Sequence, residues 1–193
     1  MRRDGELNRY RARIRRAAQM LAERGVVAYP TEGVYGLGCL PEHRAAVERL
    51  LSIKRRSWLK GLPLIAASLE QLAAVVTLPR HGLRDEILAS WPGPTTWVLP
   101  ARPGVPDWLT GGRRTLAVRV TAHPLARALC VQARSAIVST SANRSGSPPL
   151  RSARQVRMRL GTEIDYILAG PLGGLDAPTP IRDGASGEFL RDA

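Results

Sequence analysis

The 193-residue chain is short of cysteine, lysine, histidine and long apolar runs, and each shortage closes off a class of function. Its two cysteines, Cys39 and Cys130, form no C-x-x-C pair, and no Cys/His cluster has ligand spacing. A zinc site and a disulfide scaffold are both set aside, and no residue is assigned as a metal ligand. Two reduced thiols point to the cytoplasm. No apolar run approaches the roughly 18 residues of a membrane span, so no membrane partner is expected. Met1 to Arg16 is polar and Arg-rich without an apolar core, which is not the pattern of a secretory signal. Asp4 and Glu6 among those arginines also separate it from an acid-poor transit peptide, and it is read as part of the mature domain.

Common catalytic signatures are missing too. There is no G-x-x-x-x-G-K-[ST] loop, no G-x-S-x-G elbow, and Gly36-Leu37-Gly38 lacks the third glycine of a dinucleotide fingerprint. His43, His81 and His123 each stand near an expected helix start with no partner pattern. Covalent and metal-hydrolase mechanisms therefore have little support.

What is present is apolar content of 44% and a formal net charge of +13. The first is enough for one globular domain spanning residues 1–193. The second calls for a polyanionic partner such as RNA, or for anionic substrates. Free use of Arg by a GC-rich genome would explain part of it, since the chain has 27 Arg and 2 Lys. Both lysines, Lys54 and Lys60, fall within Ile53-Lys54-Arg55-Arg56-Ser57-Trp58-Leu59-Lys60-Gly61. A compact ammonium and a planar guanidinium are not interchangeable at a defined site, so this cluster marks a candidate one.

Periodicity predicts helices over 7–24, 42–53, 82–90, 123–133 and 152–160, and another opened by a capping box at Ser68-Leu69-Glu70-Gln71. Gly25 is the natural stop of the first. Strands are expected over 26–29, 62–67, 96–99, 116–120, 136–139 and 166–169, with a hairpin within 178–191. A glycine-rich loop is expected over 31–39, a Pro/Gly-rich excursion over 101–114 and a polar loop over 140–146. Alternating strands and helices favour a layered α/β domain.

Four segments carry a resemblance. Pro30-Thr31-Glu32-Gly33-Val34-Tyr35-Gly36-Leu37-Gly38 fits P-T-[DE]-x-x-Y-G-[LIV]-G. Lys54-Arg55-Arg56 fits K-x-R. Trp91-Pro92-Gly93-Pro94-Thr95-Thr96 fits W-P-G-P-[LVT]-T. Ser139-Thr140-Ser141-Ala142-Asn143-Arg144-Ser145-Gly146 contains S-A-N-x-S-G. With their order and spacing, these resemble the YrdC-like threonylcarbamoyl-AMP synthase family, nearest its short bacterial form. Lys60-Gly61 and Ile181-Arg182-Asp183 recur there as well. The resemblance implies an α/β fold, a single layered domain with a twisted mixed sheet and flanking helices. It departs at Ser57, where the family usually has Pro, and at Gly33, where Ala or Thr is common. The extra C-terminal domain of longer members is not expected.

The family reaction joins L-threonine, bicarbonate (or CO2) and ATP into threonylcarbamoyl-AMP and pyrophosphate, for a tRNA modification beside the anticodon. The resemblance implies ATP as substrate, Mg2+ with it, and downstream threonylcarbamoyl-transfer proteins (TsaB, TsaD, TsaE) as partners, with tRNA contact an open possibility. Lys54 and Arg56 suit phosphates and leaving-group charge. Their i, i+2 spacing would split them across a helix, so an irregular turn after Ile53 must aim both inward; the plain alternative is a solvated helix end. Lys60 is a further phosphate or carboxylate candidate. Ser141 and Asn143 follow a strand, in a loop that can offer N–H groups and short polar side chains to an anion. They join Lys54 and Arg56 as candidate catalytic residues, with Ser139, Asn143 and Arg182 toward ATP. Arg119 sits inside an apolar strand, where a charge is costly unless paired; the resemblance gives it the threonine carboxylate, with Thr31, Ser141 and Thr179 nearby. Arg9, Arg13, Arg16, Arg151, Arg154 and Arg157 form two basic stretches that could meet RNA. The rival readings are a non-catalytic RNA-binding module and a carbamoyltransferase-type domain.

Overall fold

The computed structural model describes residues 7–191; Met1 to Glu6, part of the N-terminal basic stretch, lie outside the described residues. Helix α1 (Arg11–Ala22) buries Ile14, Ala17, Ala18 and Leu21, a stripe at helical spacing. It lies against helix α6 (Pro124–Ala133), which turns in Leu125, Ala126, Leu129 and Cys130. Between them in sequence come α2 (Arg44–Lys54), the single turn α3 (Leu69–Leu72), α4 (Arg84–Ala89) and α5 (Asp107–Thr110), and α7 (Ala153–Leu160) follows later. The expected capping box of α3 does not form. Gln71 Oε1 accepts from Ala67 N–H at 2.8 Å instead, and Ser68 makes no side-chain cap. The excursion over 101–114 is not all loop, because α5 buries Leu109 and Thr110 within it.

The strands divide into two mixed sheets. The four-stranded sheet has the order β7-β2-β1-β8, from β1 (Val27–Pro30), β2 (Tyr35–Gly38), β7 (Thr140–Ser141) and β8 (Tyr166–Ile167). The six-stranded sheet has the order β10-β9-β4-β5-β3-β6, from β3 (Leu64–Ala66), β4 (Thr96–Pro100), β5 (Thr115–Val120), β6 (Ile137–Val138), β9 (Ile181–Asp183) and β10 (Phe189–Arg191). β3–β5 and β4–β9 are parallel, while β4–β5, β3–β6 and β9–β10 are antiparallel. The last pair is the expected terminal hairpin.

A single sheet was the simpler expectation, and the difference arises at Ser139. The chain leaves β6 there, Ser139 N–H donates to Pro63 O at 2.8 Å, and Thr140–Ser141 then pair with β2 of the other sheet. The expected 140–146 loop thus begins as a strand. Half of the expected 31–39 loop is strand as well, and its glycines serve close approach rather than flexibility. A Cβ on Gly38 would stand 2.3 Å from Val138 O and 2.9 Å from the Tyr29 ring. β1 is buried on both faces, with Ala28 in one core cluster, beside the preceding Val26, and Val27 and Tyr29 in the other.

Candidate active site

One face of the six-stranded sheet floors a cavity of about 540 Å³, within the range of small-molecule sites. Strand alternation selects its floor: Thr96 and Val98 from β4, Thr115, Ala117 and Arg119 from β5, Ile181 and Asp183 from β9. Thr31, Gly36, Thr140 and Ser141 from the four-stranded sheet and its loop complete the wall, with Ser139 at the crossover and Pro178 and Thr179 opposite. Among the described residues, five cations face this space, Arg56, Lys60, Arg113, Arg119 and Arg191, against one carboxylate, Asp183. No cysteine or histidine lies on the wall.

The irregular turn required after Ile53 is present. α2 ends at Lys54 and Arg55 takes the left-handed conformation, φ 49° and ψ 47°. Arg56 N–H donates to Leu51 O and Arg55 N–H to Ser52 O, at 3.0 and 2.9 Å, a Schellman closure. Lys54 and Arg56 both turn inward, while Arg55 is exposed. They do different work. Arg56 lies on the wall and donates to Gly61 O at 3.0 Å, and its Nε is buried without an acceptor among the described residues. Lys54 is 3% exposed and is not part of the wall. Its ammonium donates to Ser141 O, to Asn143 O at 2.8 Å and to Asn143 Oδ1 at 3.2 Å. Ser141 Oγ donates to the same Oδ1 at 2.6 Å, and Asn143 Nδ2 donates to Ser147 O at 2.6 Å. Lys54 therefore shapes the loop that carries Ser139, Thr140 and Ser141, and Asn143 is a strut of that loop.

Charge crowding leaves its mark on these groups. Burial, then the nearby Arg56, lowers the Lys54 ammonium to about 8. Burial, followed by Arg113, makes Arg56 less basic than usual. Burial, then Arg119 and Arg56, does the same to Arg191. Glu32 behaves oppositely. Burial would raise its carboxyl, but the Arg119 charge in contact with it, with a hydrogen bond from Thr121, outweighs that and holds it below the ordinary carboxylate value.

Thr31 and Thr179 both reach the wall, and Thr31 Oγ1 donates to Val34 O at 2.6 Å. Arg191 donates to Thr179 O at 2.6 Å. Arg182 is a correction. It sits between Ile181 and Asp183, so the strand turns it to the other face, where it stacks over Trp97 at 4.5 Å and Phe189 at 5.0 Å and pairs with Glu86. Arg151 is another. Its guanidinium clamps Leu175 O at 3.1 Å and Asp176 O, and pairs with the Asp176 carboxylate at 3.5 Å. Arg154 and Arg157 remain exposed on α7. Arg9 and Arg13 lie over the Tyr10 ring at 5.3 and 5.8 Å, and Arg16 donates to Gln19 Oε1 at 2.9 Å. The Trp91–Thr96 turn braces the sheet, through Gly93 N–H to Val120 O and Trp91 Nε1 to Thr95 O, and gives only Thr96 to the wall.

Sequence reasoning missed Arg113, Asp183 and Arg191 on the wall, and Glu32 behind it. Glu32 and Asp183 each stand inside a quoted motif, but nothing local distinguishes Arg113 or Arg191 from the other arginines.

A cationic cleft floored by a mixed sheet, with a lysine-braced hydroxyl loop at its edge, defines an α/β protein built to hold anions. The chain belongs to the Sua5/YciO/YrdC family: the family model, described as "Telomere recombination", matches residues 19–193. A protein of Halorhodospira halophila named threonylcarbamoyl-AMP synthase is 56% identical over 179 residues, 93% of this chain and 94% of that one. P. abyssi Sua5, solved in complex with L-threonine, is 37% identical with a TM-score of 0.81, over 88% of this chain; the match covers 50% of the Sua5 chain. E. coli YciO is 28% identical with a TM-score of 0.78, over 93% of this chain and 90% of that one. Among the described residues, no helix is long and apolar enough to cross a membrane.

Proposed function

We propose that the chain is a threonylcarbamoyl-AMP synthase, joining L-threonine, bicarbonate and ATP, and that residues 1–193 work as one unit. The observation that carries this reading is the cavity itself, where five cations and a series of hydroxyls converge on a site large enough for a nucleotide. The threonine amine captures CO2 and releases a proton, giving a carbamate. A carbamate oxygen attacks the α-phosphorus of ATP, the bond to the bridging oxygen breaks, and pyrophosphate leaves. No protein nucleophile is required, so orientation and fixed charge carry the catalysis. Arg56, Lys60 and Arg113 supply donors for the phosphates and the charge gathering on pyrophosphate. Arg119 takes the threonine carboxylate, with Thr31 and Thr179 beside it. Lys54 and Asn143 act by holding the Ser139–Ser141 edge in place.

Mg2+ enters with ATP. Among the described residues no three His, Cys, Asp or Glu gather to hold a metal, and Asp183 is the one carboxylate of the wall, so the phosphates would carry the ion. Cys39 and Cys130 are buried free thiols, in accord with a reducing cytoplasm. The product passes to the threonylcarbamoyl-transfer proteins, and the exposed arginines of α1 and α7 are the surface for tRNA. The test is pyrophosphate release by purified protein with Mg-ATP. Release is expected to need both threonine and bicarbonate, and folded protein that forms no adenylate with all three present refutes the reading.

A further inference from the structure

Arg119 poses a problem that its own strand does not solve. It is the last residue but one of β5, opposite Ile65 of β3, and is 4% exposed. A guanidinium at such a position needs a counter-charge, and its long side chain needs a fixed direction. Glu32, 6% exposed, meets both needs. Its Oε2 is in ionic contact with Arg119 Nη1, without the angle of an aligned hydrogen bond. Its Oε1 accepts from Thr121 Oγ1 at 2.7 Å, and that hydroxyl accepts from His123 N–H at 3.1 Å.

The main chain of Glu32 is held as firmly as its carboxylate. Leu175 N–H donates to Glu32 O at 2.9 Å, and Gly173 N–H donates to Thr31 O at 3.0 Å. A Cβ on Gly173 would stand 2.9 Å from Glu32 Cα, so the 173–175 segment rests directly on this residue. Glu32 is not on the cavity wall, whereas Arg119 is. Arg119 Nε is buried and has no acceptor among the described residues.

We propose that Glu32 is a positioning residue for recognition of the substrate carboxylate: it holds Arg119 by Nη1 and leaves the Nε edge of the guanidinium to receive that carboxylate. This rests on the reading above in which Arg119 binds threonine. Removing Glu32 sets two effects against each other. The site becomes more positive, which by itself tightens binding of any carboxylate. The guanidinium also loses its anchor, which weakens bidentate recognition. In Glu32→Gln the second effect wins. The Thr121 hydroxyl keeps the remaining oxygen, which turns the new NH2 group toward Nη1, and two donors facing each other push Arg119 out of line.

The experiment is calorimetric titration of L-threonine, of ATP and of L-threoninol, which lacks the carboxylate, into the full chain and its variants. In Glu32→Gln, Kd for threonine rises about ten-fold or more, while Kd for ATP and threoninol stays within about two-fold. In Thr121→Val, which removes the second hold on Glu32, Kd for threonine rises about three-fold. Threonine affinity that is unchanged or tighter in Glu32→Gln overturns the proposal, and so does an equal loss for all three ligands. Should Glu32→Gln not fold, Thr121→Val decides: unchanged threonine affinity there overturns the proposal. Absence of threonine binding by the unsubstituted protein would instead refute the proposed function.

Discussion

Lys54 shows how far a side chain's role can stand from the role its type suggests. A lysine in a basic cluster reads as a phosphate ligand, yet its ammonium is divided among three oxygens of the Ser141–Asn143 loop. The pH consequence has opposite signs for stability and activity. The unfolded chain keeps this proton up to the ordinary 10.5, and the folded protein keeps it only to about 8. Between those values the unfolded state binds more protons, so the Lys54 contribution to stability rises with pH. The loop meanwhile loses a donor. Pyrophosphate release at saturating substrate is expected to fall as pH climbs through about 8, with no drop in Tm on this residue's account. Lys54→Arg, which stays charged, should move that limb to higher pH. A limb that stays near 8 in a folded Lys54→Arg protein assigns it to another group. Gly33 also gains meaning only from the structure. A Cβ there would stand 2.0 Å from Ala177 O, so its lack of a side chain seats the segment that brings Pro178 and Thr179 to the wall.

At the scale of elements, three helices end in the same uncommon way. α1, α2 and α6 are followed by Arg24, Arg55 and Arg134, all with positive φ, at 64°, 49° and 54°. In each the next residue's N–H reaches back five residues: Gly25 to Met20 O, Arg56 to Leu51 O and Ser135 to Cys130 O. Glycine is the usual residue at this position, because a Cβ there costs about 1 kcal/mol. Gly25 was the expected stop of α1, but the left-handed residue is Arg24. Gly25 follows it and lies so close to Met20 O that a Cβ would stand 2.6 Å away. Arg134 is exposed and lies off the cavity wall, so it isolates the backbone effect. Arg134→Gly is expected to stabilise the protein by about 0.5–1 kcal/mol in urea unfolding, with pyrophosphate release unchanged. Arg134→Val should destabilise it. No gain from glycine would mean that unfolded-state entropy cancels the strain.

At the scale of the whole molecule, positive charge stands on two outer helices as well as in the cavity. α1 shows no acidic residue in its first turn, and Arg13 and Arg16 on it are exposed, as are Arg154 and Arg157 on α7. RNA affinity is expected to fall steeply with salt, because each neutralised phosphate releases counterions. Replacing Arg9, Arg13 and Arg16 together should reduce the magnitude of the log–log salt slope by about 2–3. Arg151→Ala should leave that slope nearly unchanged and lower Tm, since its guanidinium is tied to Leu175 and Asp176. A salt slope that ignores the triple replacement removes α1 from the RNA surface.

Local sequence determined the parts of this protein whose physics is local. The amphipathic stripe of α1, the apolar run of β5, the terminal hairpin and the motif loops are all written in neighbouring residues. So is the need for a turn after Ile53, since two cations at i, i+2 cannot share a helix face. Tertiary structure alone decided which of those residues meet. Arg182 fell inside a recognisable motif, but its face depends on which side of β9 borders the cavity, and pairing with β4 sets that side. Glu32 and Arg119 are far apart along the chain, and their contact depends on how the two sheets meet, which no local pattern encodes. Burial then turns that contact into chemistry, because a guanidinium withdrawn from water must have a partner, and the partner holds it where it stands.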